Sequence, residues 1–247
     1  MTAALQLEGV SVERDGHVLL ERVDLRIAAG STLALIGPSG SGKTTLLRAV
    51  VGLEAPSHGN ILVLGRTVST PRHIHVPAED RHIAIVFQDL GLWPHMSIGD
   101  HLRFVLSSQR VTKADRAHRV ERMLQSVGLE GRDRQPPATL SGGERQRLAI
   151  ARALVTQPSI LLLDEPLSNL DIVLKDELMT LLSTLLGSNE TTAIFVTHDP
   201  VEALVLTQEF AVLERGRIVQ LGSMTELVRS PATAFVRALV SRTEHAR

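Results

Sequence analysis

The chain has no cysteine and no tyrosine, carries a single tryptophan, and aromatic residues make up only 2% of its 247 positions. Without cysteine there is no disulfide, no thiolate nucleophile and no thiolate metal site, a composition that fits a reducing compartment. Net charge is also missing: 26 Lys and Arg meet 27 Asp and Glu, leaving −1. No global field therefore draws the chain to nucleic acid or an anionic membrane, and any charged partner must be met locally. The arginines of Arg110–Arg122 have no aromatic residue among them. They read as a solvated helix face rather than as a nucleic-acid surface, which would need stacking platforms. Long apolar runs are absent as well; Ile160–Leu163 is among the longest, far short of the roughly 18 residues that cross a bilayer. The N-terminal MTAALQLEGVSVERDG has no basic start followed by an apolar stretch, so it does not read as a signal peptide. The expectation is a cytoplasmic chain, held by other chains if it works at a membrane.

An apolar share of 43% over 247 residues suits one large domain with a sizeable core. Short runs rich in β-branched residues and leucine recur at Leu33–Ile36, Ile61–Val63, Ile83–Phe87, Ile160–Leu163, Thr192–Val196 and Phe210–Leu213. Several are apolar at successive positions, as parallel strands covered on both faces require. Helical patterns at Lys43–Val51, Asp171–Leu186 and Pro200–Leu206 lie between them, which predicts an α/β sheet. From Asp89 to Val155 no strand is predicted, and Lys113–Val127 has helical apolar spacing at Ala117, Val120, Met123, Leu124 and Val127. This middle segment reads as a helical lobe inserted into the α/β core. Thr225–Val240 holds two short helical patterns broken at Pro231, and Ser241–Arg247 is expected to fray.

Four short stretches carry chemistry. GPSGSGKTT, Gly37–Thr45, follows the apolar run LALI and opens a helical pattern, the setting in which G-x-x-x-x-G-K-[ST] is a phosphate loop. Its glycines let the backbone curl so that successive N–H groups face phosphate oxygens at the positive end of a helix. Lys43 is placed to reach β and γ phosphates, and the Thr44 hydroxyl to ligate Mg²⁺. In ILLLDEP, an apolar strand ends at Asp164, on the sheet edge where ligands of open α/β folds bind. Asp164 can hold Mg²⁺ through water while Glu165 faces the γ-phosphate side, an arrangement suited to hydrolysis. His198, in VTHD after the run TAIFV, falls on the same edge. LSGGE, Leu140–Glu144, is a second phosphate-binding pattern, with Ser141, Gly142 and Gly143 ahead of a helical segment over Glu144–Leu154.

A phosphate loop, LSGGE, a strand ending in DEP, SNLD and a strand ending in THD, in that order, resemble the nucleotide-binding subunit of an ABC (ATP-binding cassette) transporter over essentially the whole chain. The resemblance implies an α/β P-loop NTPase (RecA-like) core with a parallel-rich sheet, an N-terminal antiparallel β region and an inserted α-helical subdomain. As a single domain over residues 1–247, it divides into the core at 1–88 and 156–222, the helical subdomain at 89–155 and a C-terminal helical tail at 223–247. It implies ATP and Mg²⁺, with Gly37, Pro38, Ser39, Gly40, Ser41, Gly42, Lys43, Thr44 and Thr45 around the phosphates and Thr44, Gln88 and Asp164 on the metal. Gln88 matches the Q-loop glutamine, Glu165 the catalytic base, His198 the switch histidine and Asp171 the D-loop aspartate of the dimer interface. Leu140, Ser141, Gly142, Gly143 and Glu144 match the signature that binds the γ-phosphate held by the opposite subunit. The geometry agrees: those donors cannot reach a phosphate already wrapped by Gly37–Thr45 without leaving their own lobe, and a second molecule removes the difficulty.

The implied partners are a second copy or a second ATPase subunit, transmembrane permease subunits and a substrate-binding protein, at the inner face of the membrane and with no nucleic acid. QDLGLWPHMSIGDHL, THDPVEAL, GRIVQLGS and SPATAFV are similar to importer ATPases of the sugar, polyamine, iron and thiamine group. Exporter and lipid-extracting relatives, soluble repair or translation ATPases and accessory ATPases of cofactor assembly are the alternatives. Two positions depart from the family pattern. Arg14 stands where an aromatic residue usually stacks on adenine, leaving it either a stacking guanidinium or a solvated side chain. Gln208 replaces a common aspartate and is read as structural. His73, His75 and His82 lack a carboxylate pair at ligand spacing and are not assigned a metal. Trp93 and Met96 are expected in the groove that receives a helix of the membrane subunit.

Overall fold

A computed structural model describes residues 3–109, 111–168, 170–187 and 191–244. The chain opens with two long strands, β1 (Ala3–Arg14) and β2 (His17–Ala28), then β3 (Thr32–Ile36) and helix α1 (Lys43–Val51). Next come β4 (His58–Val63), β5 (Arg66–Thr70), β6 (His73–Ile74) and β7 (Ile83–Val86), followed by α2 (Ile98–Ser107), α3 (Lys113–Ser126) and α4 (Gly142–Leu154). The last part alternates: β8 (Ile160–Asp164), α5 (Ile172–Gly187), β9 (Thr192–Thr197), α6 (Pro200–Leu206), β10 (Glu209–Glu214), β11 (Arg217–Ser223), α7 (Met224–Arg229) and α8 (Ala234–Glu244). Several sequence-based boundaries move slightly: Phe87 lies past the end of β7, Asp171 precedes α5, Val127 follows α3, β4 starts at His58 and α4 at Gly142. Ser241–Glu244, expected to fray, instead continue α8, with Thr243 buried; Arg110, Asn169 and 245–247 lie outside the described residues.

One sheet is antiparallel, in the order β2-β1-β4-β5-β6. The other runs β11-β10-β3-β9-β8-β7, with β10, β3, β9, β8 and β7 mutually parallel and β11 antiparallel at its edge. Side chains of the parallel strands alternate between two cores. Leu161, Leu163, Phe195, Phe210 and Val212 join the helices α2 to α8, whereas Ile160, Leu162, Ile194, Val196 and Leu213 join α1 and the antiparallel sheet. Burial on both faces is why these strands read as continuous apolar runs. Between β7 and β8 the described residues hold helices and turns only.

α1 lies between the two sheets, with Leu46, Leu47, Ala49, Val50 and Val51 buried. Its C-terminal end is fixed by Arg81, which is 2% exposed. The guanidinium donates to Ala49 O at 3.2 Å and Val50 O at 2.7 Å on the helix, and to Val76 O at 2.8 Å, Val68 O at 3.2 Å and Ser69 Oγ at 2.7 Å on the adjoining strand and loop. A cation at a helix C-terminus also complements the helix dipole. Burial pushes the Arg81 pKa down to about 10, so the group stays charged at neutral pH. Gly52, in the left-handed region at φ 91°, leaves room for it: a Cβ there would stand 2.6 Å from Arg81 Cζ.

Candidate active site

The parallel register brings the separate motifs to one edge. Ile36 pairs with Thr197, Asp164 with Val196, and Val86 with Leu163. Gly37, His198, Glu165 and Gln88 therefore follow within one or two residues of the carboxyl ends of neighbouring strands β3, β9, β8 and β7.

The loop between β3 and α1 is shaped by close approach. A Cβ at Gly37 would lie 2.1 Å from Leu213 O and 2.6 Å from Ser41 Oγ, so only glycine fits. Gly42, at φ 106°, would bring a Cβ to 2.8 Å from Leu19 O, and Gly40 is left-handed at φ 76° beside open space. Gly42 is the N-cap of α1 and supplies no side-chain bond, whereas α2, α3, α4, α6 and α7 are capped by Ser97, Thr112, Ser141, Asp199 and Ser223. The first-turn N–H groups of α1, at Lys43, Thr44 and Thr45, have no acceptor within the helix and are offered to an anion in the loop. Lys43 Nζ donates to Gly37 O at 2.8 Å and Pro38 O at 3.0 Å. Burial lowers its pKa, with Glu165 and Asp164 acting in the opposite direction.

Thr44 Oγ1 donates to Asp164 Oδ2 at 3.1 Å. Burial is the main cause that raises the Asp164 pKa, the neighbouring Glu165 adds to it, and Thr44 and Lys43 oppose it. A hydroxyl and a desolvated carboxylate at this distance are hard oxygen donors that fit Mg²⁺, which takes few protein ligands and otherwise water and phosphate oxygens. Among the described residues no group of three or more His, Cys, Asp or Glu side chains is arranged to hold a metal unaided.

Glu165 sits in the left-handed region at φ 48°, a conformation that costs a non-glycine residue about 1 kcal/mol or more. The neighbours impose it: Glu165 N donates to Val196 O at 3.1 Å and Ser168 N to Glu165 O at 3.1 Å. The turn aims the carboxylate towards His198, whose Nδ1 is 3.6 Å from Glu165 Oε2. The sequence did not single out what braces His198. Thr197 Oγ1 accepts from Asp199 N at 3.0 Å and donates to Glu202 Oε2 at 2.6 Å, while Lys175 Nζ holds Glu202 Oε1 at 2.7 Å. Gln88 is exposed in the turn after β7.

Ser141 is the exposed N-cap of α4. Its Oγ accepts from Glu144 N at 3.2 Å and its N–H donates to Glu144 Oε2 at 2.8 Å, a capping box. Arg132, another residue that sequence reasoning passed over, lies 2.9 Å from Glu144 Oε1. Leu140 is buried beneath the turn, and a Cβ on Gly143 would meet Leu174 Cδ2 at 3.1 Å. Asp171 is exposed and accepts from Leu174 N at 3.0 Å, capping α5. Arg14 ends β1, in a hairpin that runs on to Leu19 beside Gly42, but its guanidinium is held by Glu54 at 2.6 Å. A groove of about 760 Å³ lined by Arg119, Arg122, Ser159 and Thr191 lies at the amino ends of β8 and β9, away from all of these motifs.

The site can wrap phosphates in backbone N–H groups, hold a divalent cation on hard oxygens and set a carboxylate beside the reacting phosphorus. That defines a P-loop nucleotide hydrolase. Residues 20–168, more than half of the chain, match the family model described as ABC transporter. The chain is 41% identical over 240 residues to the sulfate/thiosulfate import ATP-binding protein CysA of Mycobacterium bovis, covering 97% of this chain and 67% of that protein. It is 43% identical over 235 residues to the spermidine/putrescine import ATP-binding protein PotA of Oleidesulfovibrio alaskensis, covering 95% and 62%. Among solved structures, cbiO1 of Clostridium perfringens, part of the ABC transporter complex cbiONQ, superposes with a TM-score of 0.84 at 28% identity over 100% of this chain and 99% of that one. The chain belongs to the ABC transporter family and is an ATPase of the ABC type. It spans about two thirds of the length of the curated relatives it matches, and no described helix is long and apolar enough to cross a membrane.

Proposed function

We propose that this chain is the ATP-hydrolysing subunit of a solute importer, working in the cytoplasm at the inner face of the cell membrane. Two copies, or one copy and a second ATPase subunit, close on Mg·ATP and drive separate permease subunits fed by a substrate-binding protein. The observation that carries the reading is the placement of two complementary anion sites on one chain. Gly37–Thr45 meets Asp164, Glu165 and His198 on the sheet edge, while Ser141 and Gly142 are exposed on the helical side. The import relatives and their names support the direction of transport.

In this reading the α1 N–H groups and Lys43 bind the β and γ phosphates, and Thr44 and Asp164, with Gln88 alongside, hold the Mg²⁺. That ion, when bound, neutralises charge on the β and γ phosphate oxygens. Glu165 accepts a proton from the attacking water as its oxygen bonds to the γ-phosphorus and the bond to the β–γ bridging oxygen breaks. His198, braced through Thr197 and Glu202, positions the γ-phosphate beside Glu165. The partner's Ser141 hydroxyl and glycine N–H groups complete the cage, with Arg132 screening the charge of Glu144 that would otherwise repel the phosphate. Asp171 at the head of α5 faces the second subunit. Arg14 serves adenine only by releasing Glu54.

Glu165→Gln should lower kcat by about 10²-fold or more while ATP affinity is retained, because a single positioned base contributes that much. In the same variant Mg·ATP should convert a monomer into a dimer on size-exclusion chromatography. A Glu165→Gln protein that binds ATP yet stays monomeric at every protein concentration would sink the sandwich.

A further inference from the structure

The turn that follows Gln88 is closed by Leu90 N donating to Phe87 O at 3.0 Å and is held from outside by the signature helix. Leu90 and Gly91 are consecutive left-handed residues, at φ 61° and 52°. Their carbonyls both take the guanidinium of Arg152: Nη2 donates to Leu90 O at 2.6 Å and Nη1 to Gly91 O. The Arg152 Cζ also lies 5.1 Å from the centroid of the Trp93 ring. Trp93 is held from the other side, where its backbone N–H donates to Nε2 of the buried His101 at 2.9 Å and the two rings stack at 5.5 Å. Arg152 is thus a partly desolvated cation held by two carbonyls and an aromatic face, its pKa lowered by burial with the nearby Asp89 opposing. Only a planar fork can serve two successive carbonyls and a ring at once.

Arg152 stands eleven residues along α4 from Ser141 (152 − 141), about 16 Å at 1.5 Å per residue. One rigid helix therefore carries the signature at its N-terminal end and the grip on the Gln88 turn near its C-terminal end. We infer that Arg152 is a positioning residue that ties the turn after Gln88 to α4, so that a shift of α4 on nucleotide closure reaches Gln88 and Trp93 as one movement. The inference rests on the proposed nucleotide sandwich. It assigns to one side chain the mechanical link between the signature, which serves the opposite subunit's nucleotide, and Gln88, which serves this chain's own.

The chain supplies its own probe, since Trp93 is the only tryptophan and there is no tyrosine. In a Glu165→Gln background, Mg·ATP should shift Trp93 emission, and Arg152→Lys should abolish most of that shift while calorimetric ATP affinity changes by no more than about twofold. In the otherwise native chain, Arg152→Lys should lower kcat about tenfold with KM nearly unchanged, the pattern of a misplaced catalytic group. Arg152→Met should match Arg152→Lys, because both lose the fork; the lysine variant keeps the charge and guards against a folding defect. An unchanged emission shift and kcat in Arg152→Lys would overturn the link, as would a native Trp93 that ignores Mg·ATP while calorimetry records its binding. Absence of calorimetric binding in the unmodified chain would instead overturn the nucleotide reading, and the link with it.

Discussion

Arg81→Met isolates the brace that holds the far end of the phosphate-loop helix. Methionine roughly fills the aliphatic path but donates nothing, so the five hydrogen bonds of the guanidinium disappear together. The acceptors do not suffer equally. Ala49 O keeps Gly52 N at 3.2 Å, and Val68 O keeps His75 N at 2.9 Å and Val76 N at 3.1 Å. Val50 O, Val76 O and Ser69 Oγ lose the short bonds that Arg81 supplies. Three buried acceptors at about 1–3 kcal/mol each, less the relief of no longer burying a cation, give a loss of roughly 3–5 kcal/mol. At about 2–4 °C per kcal/mol for a chain of this size, Tm should fall by about 10 °C or more. Urea denaturation followed by far-UV circular dichroism and by Trp93 fluorescence should show the midpoint falling with an unchanged slope. Arg81→Lys should recover only part, because an ammonium cannot span carbonyls on α1 and on Val76 simultaneously. A loss under about 1 kcal/mol for Arg81→Met would refute the reasoning, since it would mean that water replaces the guanidinium at no cost.

Two further predictions concern groups whose ionisation the fold opposes. Asp164→Asn keeps an acceptor for Thr44 but removes a carboxylate that burial disfavours; in the absence of nucleotide its Tm by scanning calorimetry should rise by about 2 °C or more, while ATPase activity is lost. His101 is neutral as folded, with Nδ1–H donating to Ser97 O at 2.7 Å and Nε2 accepting from Trp93 N. Burial is the leading cause that lowers its pKa from 6.5, Arg152 and His95 add to it, and Ser97 O and Asp100 oppose it. The unfolded chain therefore binds the proton first as pH falls below about 6.5, and stability present above that pH is lost at up to about 1.4 kcal/mol per pH unit until the folded histidine titrates. His101→Gln should flatten that slope between pH 6.5 and 5 in urea titrations, and an unaltered slope would refute the assignment.

The parallel sheet was legible because each of its strands is covered on both faces, which writes an uninterrupted apolar run into the sequence, and because the motif residues stand directly at the strand ends. Backbone curvature is less legible. β1 and β2 are twelve residues each and pair with repeated register shifts; only the stretch Val23–Ile27 of β2 alternates cleanly, with Val23, Leu25 and Ile27 buried and Asp24 and Arg26 exposed. α2 had a visible start signal in Ser97 and Asp100, whose capping bonds form, but an isolated cap ahead of ten residues is weak evidence beside longer patterns. Arg81, Arg132, Arg152 and Glu202 escaped for a different reason. Their partners are carbonyls, hydroxyls or single charges brought near by the fold, and no spacing in the chain announces an acceptor of that kind. The motif residues could be named from their neighbours; the residues that hold them in place could not.

The two phosphate-facing helices differ in a way that bears on how such a protein can open and close. α4 carries a side-chain cap of its own: Ser141 and Glu144 satisfy each other's N–H groups and Arg132 screens the carboxylate. α1 has no side-chain cap, starts from a glycine at φ 106°, and stands beside an acid raised in pKa by burial, a lysine lowered by burial and a glutamate forced to φ 48°. The unfavourable terms are therefore concentrated where Mg·ATP offsets them within one chain, through charge and hydrogen bonds that the fold itself leaves unpaired. The signature side keeps only the N–H groups of Gly142 and Gly143 without an acceptor inside their helix. In the proposed sandwich the interface adds the free O–H of Ser141 and the glycine N–H groups and leaves the capping box in place. On the proposed reading the paired state therefore depends on the γ-phosphate and lapses once the phosphate is cleaved.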